Sequence, residues 1–285
     1  MPRDVTLDSI IAASPAVYRV ARRTPLVPLR PLAPASTGAA DSGRTDGLYL
    51  KLETVQPIGA FKIRGAANAV ARLTPSQRAS GVWTVSAGNA ALGVALAARE
   101  AGIACSVLVI ETAPAAKLDA IAGLGAHIVT TTYADAWKVV EQRDGDRLPG
   151  HFIHPFDDDD FISGNGTAGL ELVAELPDVA GVVVSVGGGG LLAGVATAVK
   201  ALKPDVRIYA AEPETATPLT TSLAAGRPTA APDWRASFVD GCGGQSVTPS
   251  MWPLLQDLVD ETIVVSLDDI AAAMRATATG ARVVT

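Results

Sequence analysis

The sequence is poor in cysteine, histidine and aromatic residues, and each shortage excludes something. Its two cysteines, Cys105 in an apolar run and Cys242 between glycines, supply neither a disulfide framework nor metal-ligand spacing. Its three histidines, His127, His151 and His154, are too scattered for a zinc site and read as core or loop residues. Aromatics at 5% argue against an aromatic-rich β-sandwich. Positive charge is short as well. Against 29 Asp and Glu stand 23 Lys and Arg, leaving a formal charge of −6 and no basic stripe, which argues against a nucleic-acid partner. Mean hydropathy is +0.29, yet no apolar run approaches the roughly 20 residues that span a bilayer. The opening MPRDVTLDSI lacks the apolar core of a signal peptide. The expectation is a soluble cytoplasmic protein with no membrane segment and no metal.

What is abundant is small and aliphatic. Hydrophobic residues make up 48% of the 285 positions, with Ala, Val and Leu prominent beside 27 glycines. That composition favours an α/β protein, either one large domain or two packed ones. Residues 7–22 read as an amphipathic helix ended by Thr24-Pro25. Residues 31–47, rich in Pro, Ala, Ser and Gly, read as an exposed loop. From residue 47 onward β-type runs and helices alternate. Strands are expected over 47–52, 81–85, 105–110, 126–130, 181–186 and 206–211, and helices over 60–73, 89–101, 114–123, 133–142, 165–176 and 191–201. This is the pattern of βαβ units on a parallel sheet. The acidic stretch 157–160 is the clearest composition break and reads as a solvated loop. Ser266 with Asp269 resembles an N-cap opening a last helix.

Four stretches could carry chemistry, two of them at strand-to-helix junctions. Gly187, Gly188, Gly189 and Gly190 follow an apolar strand and precede a helix, so their amides can curl toward one anion. A tight turn without a ligand would look the same. Lys62, between Phe61 and Ile63, is expected in a partly apolar setting that lowers its pKa. A neutral lysine attacks aldehydes and forms Schiff bases, although many such lysines only lay their stems along apolar surface. Ser86, Ala87, Gly88 and Asn89 suit a carboxylate at a helix start, and would equally serve as a plain N-cap. Glu212-Pro213 and Asp240-Gly241 fall where open α/β sheets place ligands, or are ordinary turns.

Taken in order, several stretches resemble the serine/threonine dehydratase family of fold-type II pyridoxal-phosphate enzymes, which includes serine racemase. The matching segments are Arg23-Thr-Pro-Leu26, Lys51-Leu-Glu53, Gln56 through Ala66, Ser86 through Asn89, Gly164-Asn-Gly-Thr167, Val186 through Leu191, Glu212-Pro213 and Asp240-Gly241. The resemblance implies two doubly wound α/β domains of the tryptophan-synthase-β type. Residues 1–78 with 156–285 would form the large cofactor domain. Residues 79–155 would form a smaller one that closes on the substrate. It implies that Lys62 bonds the cofactor, Phe61 packs near the ring, Asn89 meets the ring hydroxyl and Gly187 to Gly190 hold the phosphate. Gly241 would line the pocket, and Ser86, Ala87, Gly88 and Asn89 would bind the substrate carboxylate. The implied activity is removal of the β-hydroxyl of serine or threonine, giving a 2-oxo acid and ammonia, by a homodimer.

Departures accompany the likeness. Where the family often has His-Ala-Gln after the asparagine, this chain has Ala90-Ala91-Leu92, so the accepted side chain is open. Ala87 stands where serine racemase has a serine serving the opposite face of Cα, which points to elimination. Glu212 matches one ligand of a divalent cation bound by some relatives, but Pro218 stands where an aspartate is expected, so no strong metal site is expected. The family continues past Thr285 into a helix and a last strand that contacts the pyridine nitrogen, so a C-terminal segment is expected to be missing. Two other readings remain. One is β-replacement, as in cysteine synthases, which Phe61-Lys-Ile-Arg-Gly65 argues against. The other is a non-catalytic fragment that keeps the phosphate cradle.

Overall fold

The computed structural model describes residues 3–29 and 47–284; the expected loop over 31–47 lies outside them apart from Gly47. Helix α1 (Leu7–Val20) starts at Thr6, whose side chain accepts the Ser9 amide in a capping box, and ends two residues before expected. Strands β1 (Leu26–Leu29) and β2 (Leu48–Lys51) form an antiparallel pair. A 3-10 turn at Glu53–Val55 leads to α2 (Lys62–Arg72), then to the short α3 (Pro75–Ser80). There follow β3 (Val82–Val85), α4 (Asn89–Glu100), β4 (Cys105–Ile110), α5 (Ala115–Gly123), β5 (His127–Thr131), α6 (Tyr133–Gln142) and β6 (His151–Phe152). The remainder comprises α7 (Asp159–Glu175), β7 (Gly181–Ser185), α8 (Gly190–Leu202), β8 (Arg207–Pro213), α9 (Pro218–Ala225), α10 (Trp252–Leu258), β9 (Glu261–Val265) and α11 (Leu267–Ala276).

The expected parallel architecture divides into two sheets. The first has the order β5-β4-β3-β6, every pair parallel. Its period-2 alternation serves two cores. Val82, Val107 and Val109 face the helices α2 and α4, while Trp83, Val85 and Leu108 face Ala136, Val139 and Val140 of α6. A sheet covered on both sides is what doubly wound topology requires. The second sheet, β7-β8-β9, is also parallel. Val182, Val184, Ile208 and Ala210 point into a core with α8, while Val183 on the opposite face is 57% exposed. Among the described residues no helix is long and apolar enough to cross a membrane.

The acidic stretch is not a solvated loop. Asp157 is buried, paired with Arg3 at 2.5 Å and Arg143 at 2.9 Å, and accepts from Ser250. Asp158 caps α7 by accepting the Phe161 amide at 2.8 Å. The helix therefore opens at Asp159, six residues before the expected 165, because cap and first-turn acids favour its start. The partners that bury Asp157 come from distant sequence, so the local charge run concealed them.

A buried ion network fastens α2 to α7. Arg64, fully buried, donates to Glu171 at 2.6 Å, to Glu53 at 2.8 Å and to Thr167 at 3.1 Å. Lys51 and Tyr18 also reach Glu171, at 2.8 and 2.6 Å. Burial alone would raise the Glu171 pKa, but the bonds from Arg64, Lys51 and Tyr18 prevail and hold it down at about 2. Burial also lowers His154 to about 4, against a carbonyl contact that favours its charged form. Both groups bind protons more readily when unfolded, so acid destabilises the fold through each. Through these two groups stability is expected to be level above about pH 7. It should fall between about 6.5 and 4 as unfolded histidine protonates, by about 3 kcal/mol, then further between about 4.5 and 2 through Glu171. Denaturant titrations across that range would show it. A level profile from pH 7 to 4 would mean that the imidazole is not buried neutral.

Candidate active site

Lys62 opens α2 directly after Phe61, whose φ of −59° is already helical. Its Nζ donates to the Pro155 carbonyl at 2.9 Å, and the Phe61 and Phe161 rings flank it at 5.2 and 5.7 Å from their centroids. Desolvation pulls its pKa down to about 8, opposed by attraction to Cys242. A substantial fraction is therefore neutral near pH 8, the form that attacks a carbonyl carbon. Helix α4 presses against its backbone: a Cβ at Gly93 would lie 3.1 Å from the Lys62 carbonyl oxygen.

The glycine loop lies at the C-terminal end of β7, and α8 begins at Gly190. Gly189 has φ +87°, a conformation that side chains disfavour. A Cβ on Gly188 would meet the Phe156 ring at 2.2 Å. The Gly241 carbonyl stands 2.9 Å from where Gly187 would carry one, so the 3-10 turn Asp240–Cys242 walls the other side. Among the described residues the backbone amides of Gly187 to Gly190 donate no hydrogen bond to another backbone group. Free amides at a helix start attract an anion. Burial raises the Cys242 thiol, partly offset by Ser185 and by the charge of Lys62.

Ser86 to Asn89 join β3 to α4. The Ser86 Oγ accepts the Gly88 amide at 3.0 Å, which shapes the turn. Asn89 is the exposed first residue of α4. Ala90 and Ala91 are buried, so the missing polar groups after Asn89 are replaced by core methyls. Lys62, Phe61, the glycine loop and Gly241 thus share one neighbourhood. Ser86 to Asn89 approach it through the packing of α4 on α2.

Glu212 has a different task. Its carboxylate accepts the Leu219 and Thr220 amides, each at 2.8 Å, and the Thr220 hydroxyl at 2.6 Å, capping α9. Burial raises its pKa against these bonds. Asp240 pairs with Lys117 of α5 at 2.5 Å. Sequence reasoning passed over Pro155, Phe156 and Phe161 as site residues. They stand 93 or more positions from Lys62, and no local pattern marks them.

These residues fit pyridoxal phosphate. They combine an amine of lowered pKa with four free amides in a loop whose walls leave no room for side chains. The comparisons agree. Residues 17–285 match the family model described as pyridoxal-phosphate dependent enzyme. Serine racemase of Oryza sativa subsp. indica is 38% identical over 256 residues, 90% of this chain and 74% of that protein. L-threonine ammonia-lyase of Thermotoga maritima is 35% identical over 272 residues, 95% of this chain and 65% of that protein. The structure of maize serine racemase superposes with TM-score 0.88 at 35% identity, covering 98% of this chain and 82% of that one. That of the processed threonine deaminase isoform 2 from Solanum lycopersicum gives 0.84 at 33%, covering 98% and 79%. Fold, site and relatives converge: the chain belongs to the pyridoxal-phosphate dependent enzymes of fold type II, among which are threonine ammonia-lyases and serine racemases.

Proposed function

We propose that this protein removes the β-hydroxyl of a hydroxy-amino acid such as L-serine or L-threonine, releasing a 2-oxo acid and ammonia. The observation that carries the reading is Lys62, an amine lowered to about 8 beside four free glycine amides. Bound pyridoxal phosphate supplies an aldehyde for amines and a ring that takes up the electron pair left at Cα. Gly187 to Gly190 hold its phosphate, with Phe61, Asn89 and Gly241 beside its ring. Ser86 and the amides opening α4 hold the substrate carboxylate. Neutral Lys62 takes the Cα proton. The electron pair left at Cα then forms the Cα–Cβ double bond as the Cβ–O bond breaks, and the hydroxyl leaves as water with the proton that Lys62 took. The enamine released takes up water and yields the oxo acid and ammonia. Residues 79–155 would close over the substrate and, with Phe156 and Phe161, keep water away from the reacting Cα.

Racemisation of serine is the second reading, favoured by the rice and maize relatives. It needs a proton donor on the face opposite Lys62, and the methyl of Ala87 cannot serve as one. Protein supplied with cofactor is expected to form 2-oxo acid and ammonia in equal amounts from L-serine or L-threonine. Chiral chromatography should find no opposite enantiomer. Its appearance at a rate comparable to the oxo acid would overturn the preference for elimination and show that some other group serves the second face.

A further inference from the structure

His154 follows β6 and is 2% exposed. Both ring nitrogens are engaged. Nε2 lies 3.1 Å from the Val140 carbonyl oxygen, which only accepts, so Nε2 carries the proton. Nδ1 is then a bare acceptor. It takes the Asp157 amide at 2.8 Å and the Phe156 amide at 3.3 Å. The imidazole closes the turn 154–157 from inside, with the Phe152 and Phe156 rings edge-on at 5.7 and 4.6 Å. That turn presents two groups to the site. One is the Pro155 carbonyl that accepts the Lys62 ammonium; the other is the Phe156 ring that fills the space beside Gly188.

We propose that His154 is a positioning residue for the reacting amine, its Nδ1 acceptor fixing the turn that sets the Pro155 carbonyl against Lys62 and the Phe156 ring against the glycine loop. The functional consequence rests on Lys62 being the cofactor lysine; the geometry does not. The charged groups near the ring are Asp157, Arg143 and Lys62. Asp157 is itself held by Arg3 and Arg143, and Lys62 also faces the Cys242 thiol. A protonated ring would turn an N–H toward the two amides and open the turn.

Two conservative variants separate the two nitrogens. His154→Asn keeps an oxygen near the Nδ1 position and loses the bond to Val140. His154→Gln reaches the Val140 carbonyl and loses the Nδ1 acceptor. The measurement is the pH dependence of Lys62 labelling by an amine-reactive reagent in cofactor-free protein, mapped by peptide mass, with melting curves alongside. H154N is expected to titrate Lys62 as the wild type does. H154Q should shift that titration down by about half a pH unit or more, since the ammonium loses its acceptor. Capture of pyridoxal phosphate by H154Q, read as the visible band, should slow about tenfold or more. Two variants that melt alike and both leave the Lys62 titration unmoved would overturn the proposal, reducing His154 to packing. A shift in H154N overturns it too, and decides alone if H154Q does not fold. Wild-type protein that never captures the cofactor on Lys62 would instead overturn the assignment of the lysine, leaving the labelling result to stand by itself.

Discussion

Lys62→Ala is expected to give a folded protein that forms no visible band with pyridoxal phosphate and no pyridoxyl adduct after borohydride reduction. Turnover should fall about 10⁴-fold or more, since in the proposed mechanism Lys62 is both the group that bonds the cofactor and the base that takes the Cα proton. The fold should survive. Lys62 is held near pKa 8 by desolvation, so at neutral pH the native state bears the cost of a charge in a poorly solvated place. Removing the amine relieves that cost, while opening a small void and freeing the Pro155 carbonyl. A melting temperature within a few degrees of wild type is the expected control. An adduct on another lysine, or normal turnover by the variant, would remove Lys62 from the mechanism.

The second large effect is on stability. Glu171→Ala strips Arg64, Lys51 and Tyr18 of a shared partner and leaves a guanidinium buried with only Glu53 to balance it. Breaking a buried pair this way costs about 3–5 kcal/mol, because one charge stays in the interior uncompensated. Domains commonly have about 5–15 kcal/mol in hand, so much of the variant should be unfolded or aggregated at 37 °C. Arg64→Ala should behave similarly. The double variant Arg64→Met with Glu171→Leu is expected to recover part of the loss, since it leaves neither charge alone. Urea titrations measure all three. A Glu171→Ala midpoint equal to the wild type would show that the network contributes nothing net.

Much of the fold is legible along the chain where the pattern is long or strongly punctuated. Strand β4 and helix α6 run over the residues their periodicity marks, and the glycine run stands at a strand-to-helix junction as its composition requires. Short elements escape where two to eight residues hold too few repeats of the period to stand out from loop, as in β1, β6, α3, α9, α10 and β9. The site divides similarly. Lys62, the glycines and Ser86 to Asn89 announce themselves by residue type beside local structure. Pro155 acts through a carbonyl and Phe156 through the space its ring occupies, and neither property has a sequence signature. Asp157 and His154 mislead in a related way. Each looks dispensable in its own neighbourhood, and each finds its bonds in chain that is remote or in backbone.

The order in which the chain leaves a ribosome meets the Arg64 network awkwardly. Glu171 is 107 residues downstream of Arg64, so at about 5–20 residues per second the arginine waits on the order of 5–20 seconds for it. Glu53 is already present, but Lys51 and Tyr18 wait as well. The first parallel sheet, spanning Val82 to Phe152, is contiguous and emerges in that interval. A nascent chain can therefore settle its middle before its beginning. During that pause the faces of α1 and α2 that later dock on α7 are bare, which makes it the window in which a holding chaperone would matter most to this protein.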